Sequence, residues 1–309
     1  MKVLGFFLSG PVISLITLFL SVIWMLRDEK DRSRPILVFA LVLNLFYGCL
    51  FSFAMGSEDM IFPHKYDYIL LLVDKSLGLS AAGIALYLQG TLRIVLYIVY
   101  RLIIPMMILW YPVTQGRNRR SSLVLSYVCA LVAGPLFYAI VPACGPVYAF
   151  GANWLHPPAV LAQTVRVVGS PNAFPSLHLG TAFLFVLFAQ GKLWRVVSLV
   201  FLIATALATL SLGEHYVIDL VAGLAFGCFI MSVGYRRIWN AVAYLGVVLG
   251  WAITIRFGYL QVIFHPFLLR FCAVCTVAVT GYAVWKEWTT PDSLAAVSES
   301  VYAEDDQGI

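Results

Sequence analysis

Residues 172–219 read NAFPSLHLGTAFLFVLFAQGKLWRVVSLVFLIATALATLSLGEHYVID, and this stretch decides the fold. Apolar runs cover 174–190 and 194–212, a third run begins at 216, and only short polar breaks separate them. An apolar run of about 20 residues is long enough to cross the hydrocarbon core of a bilayer as an α-helix. The stretch therefore predicts consecutive membrane-spanning helices that keep their few polar residues at their ends.

The composition extends this prediction to the whole chain. Of the 309 residues, 61% are hydrophobic and 11% are charged, whereas a soluble domain has roughly 45–50% apolar and about 25% charged residues. We therefore expect an all-α fold, a polytopic transmembrane helical bundle. Nine apolar runs are long enough to span: 4–26, 35–55, 91–112, 121–142, 174–190, 194–212, 216–235, 238–258 and 262–285.

Basic residues predict the orientation of the bundle, because lysine and arginine in short loops stay on the cytoplasmic side. The loops 56–67 and 143–172 carry few basic residues and are expected on the outer face. The connections expected in the cytoplasm hold twelve of the 20 basic residues, at 27–34, 117–120, 192–195, 236–237 and 286. The net charge of the chain, +5, is too small and too scattered to indicate nucleic-acid binding.

One apolar segment, 68–90, does not fit this alternation, because it carries Asp74 and Lys75 near its start. A full crossing here would reverse every later loop against the charge rule, so we predict an interfacial or re-entrant helix of the outer leaflet. The chain then divides into N-terminal membrane helices at 1–67, this helix, a core at 91–235, C-terminal membrane helices at 236–288 and a disordered cytoplasmic tail at 289–309.

A first polar cluster, 172–178, stands directly before an apolar run. Pro175 followed by Ser176 is typical of a helix start, which places Ser176 and His178 in the first turn, at the outer face. Backbone N–H groups without helical partners, together with the positive end of the helix dipole, favour an anion such as phosphate there.

A second polar cluster, 211–219, breaks two later apolar runs. His215 and Asp219 are four residues apart, so they share one helix face and we expect a carboxylate–imidazole hydrogen bond. Such a bond fixes the imidazole tautomer and raises its basicity, as a nucleophilic or general-base histidine requires. Two crossings separate His178 from His215, so both histidines are expected at the outer face.

Other interpretations fit these residues one at a time. A histidine at an interface is commonly just solvated, and Asp219 is also a suitable helix cap. Two histidines and a carboxylate, His178, His215 and Asp219, would suit zinc or iron. A transporter or scramblase would use histidines as a proton relay near the bilayer midplane, whereas these lie at span ends. The joint pattern favours acid–base and nucleophilic catalysis.

The two clusters resemble the signature motifs of the type 2 phosphatidic acid phosphatase superfamily. Its second motif, P-S-x-H, is matched by 175–178, and its third motif ends in H-x-x-x-D, matched by 215–219. The form F-P-S-L-H with H-Y-x-x-D is most similar to the branch that contains inositol phosphorylceramide synthase. The resemblance covers about 90–235 and implies a six-helix phosphatase-type core with extra helices around it.

Two departures from the motifs remove phosphate-binding cations. The family's serine–arginine pair would stand at Ala208 and Thr209, and its first motif, a lysine followed by Arg-Pro, has no counterpart in the loop 143–172. Headgroup-transferring relatives tolerate this loss, so the resemblance favours transfer over hydrolysis. The candidate replacement cations are Arg166, Arg93 and Arg101.

The resemblance implies in-line displacement at phosphorus without a metal or another cofactor. His215 would attack to give a phosphohistidine, Asp219 would orient it, and His178 would protonate the leaving oxygen and later activate the acceptor. Ser176 would hold a phosphoryl oxygen, and Glu214 either assists the acceptor or faces water.

The expected partners are the lipid bilayer and its lipids, namely a phospholipid donor and a lipid or water as acceptor. We expect a lipid phosphotransferase similar to inositol phosphorylceramide synthase. A lipid phosphate or polyprenyl pyrophosphate phosphatase would use the same residues with water. The active site is predicted on the outer face, and a bacterial inner membrane is favoured as its location.

Overall fold

The computed structural model describes residues 62–157, 171–257 and 265–289, together with positions 38, 164, 167 and 169. This part of the chain contains eleven α-helices, one 3₁₀ turn at Gly151–Asn153 and no β-strand. The predicted all-α polytopic helical bundle is thereby confirmed. The helices are α1 (Asp67–Leu77), α2 (Ala81–Tyr87), α3 (Thr91–Arg101), α4 (Ile103–Val113), α5 (Arg117–Ile140), α6 (Pro146–Phe150), α7 (Leu177–Phe188), α8 (Gly191–Leu212), α9 (Val217–Gly234), α10 (Ile238–Arg256) and α11 (Pro266–Thr289).

The long helices show that the protein is a multi-pass membrane protein. Five of them, α5 and α8 to α11, are long and apolar enough to cross a bilayer, and the described part reaches seven spans if each of two bent pairs counts as one. The pair α3 and α4, predicted as one span over 91–112, bends by 58°. The predicted runs 4–26 and 35–55, and the tail beyond position 289, lie outside the described residues.

The segment predicted as an interfacial or re-entrant helix, 68–90, forms the second bent pair. Helices α1 and α2 meet at an angle of 72°, a geometry that suits a broken span or a re-entrant loop. Gly78 ends α1 in the left-handed conformation, with φ of 78°, which glycine adopts at little steric cost. The side chain of Ser80 then accepts a hydrogen bond from the Gly83 N–H and caps α2. The interfacial or re-entrant placement of the pair in the membrane stays a prediction.

Helix α7 is the centre of the bundle and is shorter than the run 174–190 that predicts it. It has 12 residues because Ser176 caps its first turn and the chain leaves the helix after Phe188. Every residue from Leu179 to Phe188 is buried, and α4, α5, α8, α9 and α11 pack around it. A helix enclosed by other helices contacts protein instead of lipid, so its length need not match the bilayer thickness.

Glycines bring α7 and α9 into close contact. A Cβ added at Gly227 would lie 2.9 Å from the Phe183 ring and 3.0 Å from the carbonyl oxygen of Gly180. A Cβ at Gly223 would lie 2.8 Å from the carbonyl oxygen of Ser176. Small residues of this kind let membrane helices approach backbone to backbone. The start of α9 is therefore held against the start of α7, where both sequence clusters lie.

Candidate active site

The two histidines of the sequence clusters lie side by side. His178 is in the first turn of α7, and His215 is in the four-residue loop between α8 and α9. The centroids of their rings are 6.1 Å apart and the ring planes are inclined by 61°. The structure thus brings together two motifs that most of α7 and all of α8 separate in sequence.

A backbone carbonyl orients His215. Nδ1 of the ring lies 2.8 Å from the carbonyl oxygen of Ala173. A carbonyl oxygen can only accept, so Nδ1 carries the proton and Nε2 keeps its lone pair. The ring of His215 is 3% exposed, and this burial lowers its pKa to about 4, against the opposing effects of the Glu214 carboxylate and the hydrogen bond to Ala173. At neutral pH His215 is therefore an uncharged base with a defined tautomer.

The expected hydrogen bond between His215 and Asp219 is not formed. Oδ2 of Asp219 is 3.6 Å from Nδ1 of His215, and it accepts instead from the backbone N–H of Tyr216 at 2.7 Å. This backbone bond caps the start of α9 and draws the carboxylate away from the ring. Oδ1 of Asp219 is buried and has no hydrogen-bond partner among the described residues. Asp219 therefore lies close to His215 without a hydrogen bond to its ring.

Ser176 lies at the start of α7, as the sequence predicts. Its side chain is buried and accepts a hydrogen bond of 3.3 Å from the N–H of Leu179, which leaves the hydroxyl proton able to donate. Its own N–H donates to the carbonyl oxygen of Asp219 at 3.0 Å. No described residue accepts from the N–H groups of Leu177 and His178. The first turn of α7 thus offers donors to an anion.

Glu214 lies between two tyrosines next to the histidines. Its Oε1 accepts from the Tyr148 hydroxyl at 3.1 Å, and Tyr100 is a second polar neighbour of the carboxylate. Burial raises the pKa of Glu214, while His215, Tyr148 and the other polar neighbours act in the opposite direction. The ring of Tyr100 stacks on His178, with centroids 4.2 Å apart and an interplanar angle of 16°. This polar group forms one wall of the site.

Of the two candidate replacement cations that the structure describes, Arg101 and Arg93, Arg101 lies closer to this wall. Arg101 ends α3, its Nε donates to the Tyr97 hydroxyl at 3.3 Å, and its charge acts to lower the pKa of Glu214. Arg93 lies two turns earlier on α3, and Arg166 lies outside the described residues. The buried Lys65 is bound elsewhere, because its Nζ donates to the carbonyl oxygens of Val167 and Gly169, each at 2.6 Å.

Metal binding by the two histidines and Asp219 receives no support from this geometry. Within the described ranges, no group of three or more histidine, cysteine, aspartate or glutamate residues could hold a metal ion. Nδ1 of His215 is also occupied by the Ala173 carbonyl.

Comparison with protein families gives a match to the model of the PAP2 superfamily over residues 69–233, more than half of the chain. The chain belongs to the PAP2 superfamily. Neither the curated proteins nor the solved structures include a significant match. As a PAP2 protein it has a lipid phosphatase or phosphotransferase type of function and acts on lipids within a bilayer.

The two positions at which the PAP2 motif would carry its serine and arginine are buried in this structure. Ala208 and Thr209, where the family's serine–arginine pair is expected, are both fully buried in α8. The Thr209 hydroxyl donates to the carbonyl oxygen of Ala206 at 2.9 Å, so it replaces no phosphate contact. Among the described residues, the charge of Arg101 on α3 acts on both His178 and Glu214.

Several residues of the site belong to no sequence motif. Tyr100, Tyr148 and the carbonyl of Ala173 are common residue types in apolar or loop sequence. Asp67 and Asp74 are both buried beside the loop that carries His215. A carboxylate in an apolar segment is costly and marks a functional position, so sequence reasoning could have included Asp74. Asp67 ends the polar loop 56–67, where a charge is ordinary.

Replacement of Gly145 by alanine tests whether the segment 143–150 supports the loop that carries His215. A Cβ at Gly145 would collide with the carbonyl oxygen of Glu214, whereas a Cβ at Gly151 has no atom within 4 Å. Both glycines have positive φ, 93° and 55°, so the backbone strain of the two substitutions is similar. We expect Gly145→Ala to lower activity on phospholipids by about 10²-fold, and Gly151→Ala to lower it far less. Equal losses in the two purified variants would contradict the proposed contact.

Proposed function

We propose that this PAP2 protein moves a phospho-headgroup from one membrane lipid to another through a phosphohistidine at His215, as an inositol phosphorylceramide synthase-like transferase. The observation that carries the proposal is the pair of adjacent histidines, one of which has Nδ1 fixed by Ala173 and Nε2 available. A neutral imidazole with a free lone pair can act as a nucleophile, and a second imidazole beside it can act as acid and base.

In the first half of the reaction Nε2 of His215 attacks the phosphorus of the donor phospholipid. The N–P bond forms as the bond from phosphorus to the glycerol oxygen breaks, and His178 gives a proton to that oxygen. Ser176 donates its hydroxyl proton to a phosphoryl oxygen, and the N–H groups at the start of α7 favour the same charge. Asp219, 3.6 Å from Nδ1, stabilises the positive charge that develops on the ring.

In the second half an acceptor hydroxyl attacks the phosphohistidine. His178 takes the proton from the acceptor, the new O–P bond forms, and the N–P bond breaks to restore neutral His215. Tyr148 and Tyr100 hold the Glu214 carboxylate in place. This carboxylate binds and orients the acceptor hydroxyl next to His215. A lipid alcohol such as ceramide reaches this point from the bilayer.

Two features favour lipid transfer over hydrolysis. The cations of the family's phosphate clamp are missing at Ala208 and Thr209, and a diester headgroup carries less negative charge than a terminal phosphate. Ser176, His215 and Asp219 are also almost fully buried, and a site that limits the access of bulk water favours a lipid alcohol as the acceptor. Hydrolysis of lipid phosphates or polyprenyl pyrophosphates is the alternative outcome of the assay below.

We place the site on the outer face of the membrane, and we favour a bacterial inner membrane. This placement rests on the basic residues of the connections, which would put 117–120, 192–195 and 236–237 in the cytoplasm. The start of α7, which carries His178, and the loop that carries His215 then lie on the opposite side.

An acceptor assay tests the reaction. Purified protein is incubated with phospholipids labelled in the headgroup phosphate, with and without ceramide or diacylglycerol. We expect a new labelled phospholipid that requires the acceptor, together with acid-labile label on the protein. His215→Ala should lower the rate by about 10³-fold or more and abolish the label, whereas His178→Ala should lower the rate by about 10²–10⁴-fold. Release of free phosphate as the sole product would identify a phosphatase.

The pH dependence of kcat/KM distinguishes His215 from Glu214. Protonation of His215 inhibits attack only below about pH 4, because burial lowers its pKa to that value. Burial raises the pKa of Glu214 above its ordinary value, so in the wild type Glu214 sets the acid limb at higher pH. In Glu214→Gln the remaining limb should fall to about pH 4 or lower, since the lost carboxylate had raised the pKa of His215. An acid limb near 6.5 in both proteins, as for an ordinary histidine, would contradict this assignment.

Two arginines of α3 provide a matched test of the phosphate-binding cation. Arg101 lies beside Glu214 and is proposed to bind the donor phosphate, whereas Arg93 lies eight residues away along the helix, about 12 Å at 1.5 Å per residue. We expect Arg101→Gln to lower kcat/KM by about 10²-fold, Arg101→Lys to recover part of it, and Arg93→Gln to stay near the wild-type value. Equal effects of the two glutamine variants would remove Arg101 from the site.

A further inference from the structure

Two carboxylates of α1, which belong to neither histidine motif, are buried against the loop that carries His215. Asp67 is 0% exposed and Asp74 is 2% exposed. Neither forms an ion pair with a residue of the described part. A buried carboxylate is tolerated only when hydrogen bonds replace its water. Here the donors come from the residues around His215.

Asp74 binds the start of α9 from outside that helix. Its Oδ2 accepts from the N–H of Val217 at 2.8 Å, and its Oδ1 accepts from the N–H of Ile218 at 3.0 Å. The N–H of Tyr216 is bound by Asp219. Three consecutive N–H groups that a helix start leaves without helical partners are thereby satisfied by two carboxylates. The position of this turn, which directly follows His215, therefore depends on α1.

Asp67 reaches His215 by two routes. Its Oδ1 accepts from the Tyr216 hydroxyl at 3.1 Å, which fixes the residue next to His215. The same oxygen accepts from the N–H of Gly145 at 2.9 Å, and the carboxylate also accepts from Cys144. That loop in turn holds the carbonyl that orients the imidazole, because the Ala143 oxygen accepts from the Ala173 N–H at 2.8 Å.

We propose that Asp67 and Asp74 are positioning residues for His215, which they hold through Tyr216, the start of α9 and the hydrogen bond between Ala143 and Ala173. This inference rests on the proposed function of His215 as the nucleophile. A misplacement of the ring by about 1 Å is enough to lower the rate of an in-line attack by about 10²-fold. The two aspartates therefore act on the rate of phosphohistidine formation and leave donor binding unchanged.

The test compares buried carboxylates at opposite ends of the bundle. Asp74→Asn and Asp67→Asn remove a charge beside the active site, and Glu287→Gln removes one that pairs with Arg237 on another part of the protein. We expect the two aspartate variants to lower kcat and the rate of label transfer to His215 by about 10 to 100-fold, with KM within about twofold of the wild type. Glu287→Gln should leave kcat per folded molecule within about twofold of the wild type.

Two milder substitutions test the same positioning role if an aspartate variant does not fold. Tyr216→Phe removes only the hydroxyl that donates to Asp67, and Tyr244→Phe removes a hydroxyl that bonds Cys228. Tyr216→Phe should lower kcat by about three- to tenfold at unchanged KM, and Tyr244→Phe should not. Wild-type kcat per folded molecule in Tyr216→Phe and in every folded aspartate variant would overturn the positioning role. Absence of label on His215 in the wild type would instead overturn the proposed function.

Discussion

The hydrogen bond between Nδ1 of His215 and the carbonyl oxygen of Ala173 joins the two halves of the active site. One half is the start of α7, with Ser176 and His178, and the other is the loop between α8 and α9. The bond sets the tautomer of a ring that burial keeps neutral. The close glycine contacts of α7 and α9 exist in the same place, so the packing of the bundle and the orientation of His215 depend on each other.

The starts of α7 and α9 meet at the site, and carboxylates bind the first N–H groups of α9 only. The first N–H groups of α9 are bound by Asp219 and Asp74, so this helix start is not available to a phosphate. The N–H groups of Leu177 and His178 at the start of α7 have no acceptor among the described residues. An anion is therefore favoured on the α7 side, next to His178 and facing His215.

The sequence predicts the bundle and singles out the two histidines, because a bilayer restricts where polar residues can stand. The boundaries of α8, α9 and α10 follow from apolar runs, and His178 and His215 stand out as ionisable groups at span ends. The partner of His215 could not be predicted from spacing. Four-residue spacing allows a bond to Asp219, but the N–H of Tyr216 competes for that carboxylate, and only the fold brings Ala173 to the ring.

The contacts of α1 and α2 also bear on how the segment 68–90 sits in the membrane. Asp67, at the first residue of α1, contacts Gly145, and Ser76, near its end, accepts from Arg270 in the first turns of α11. Ala85 of α2 packs with Trp154 in the loop that precedes α7. All three contacts lie at the end of the bundle that holds the histidines. A crossing helix would place its two ends at opposite ends of the bundle, so these contacts support an interfacial or re-entrant segment. Such a segment can present both of its aspartates to one loop, which a crossing helix could not do.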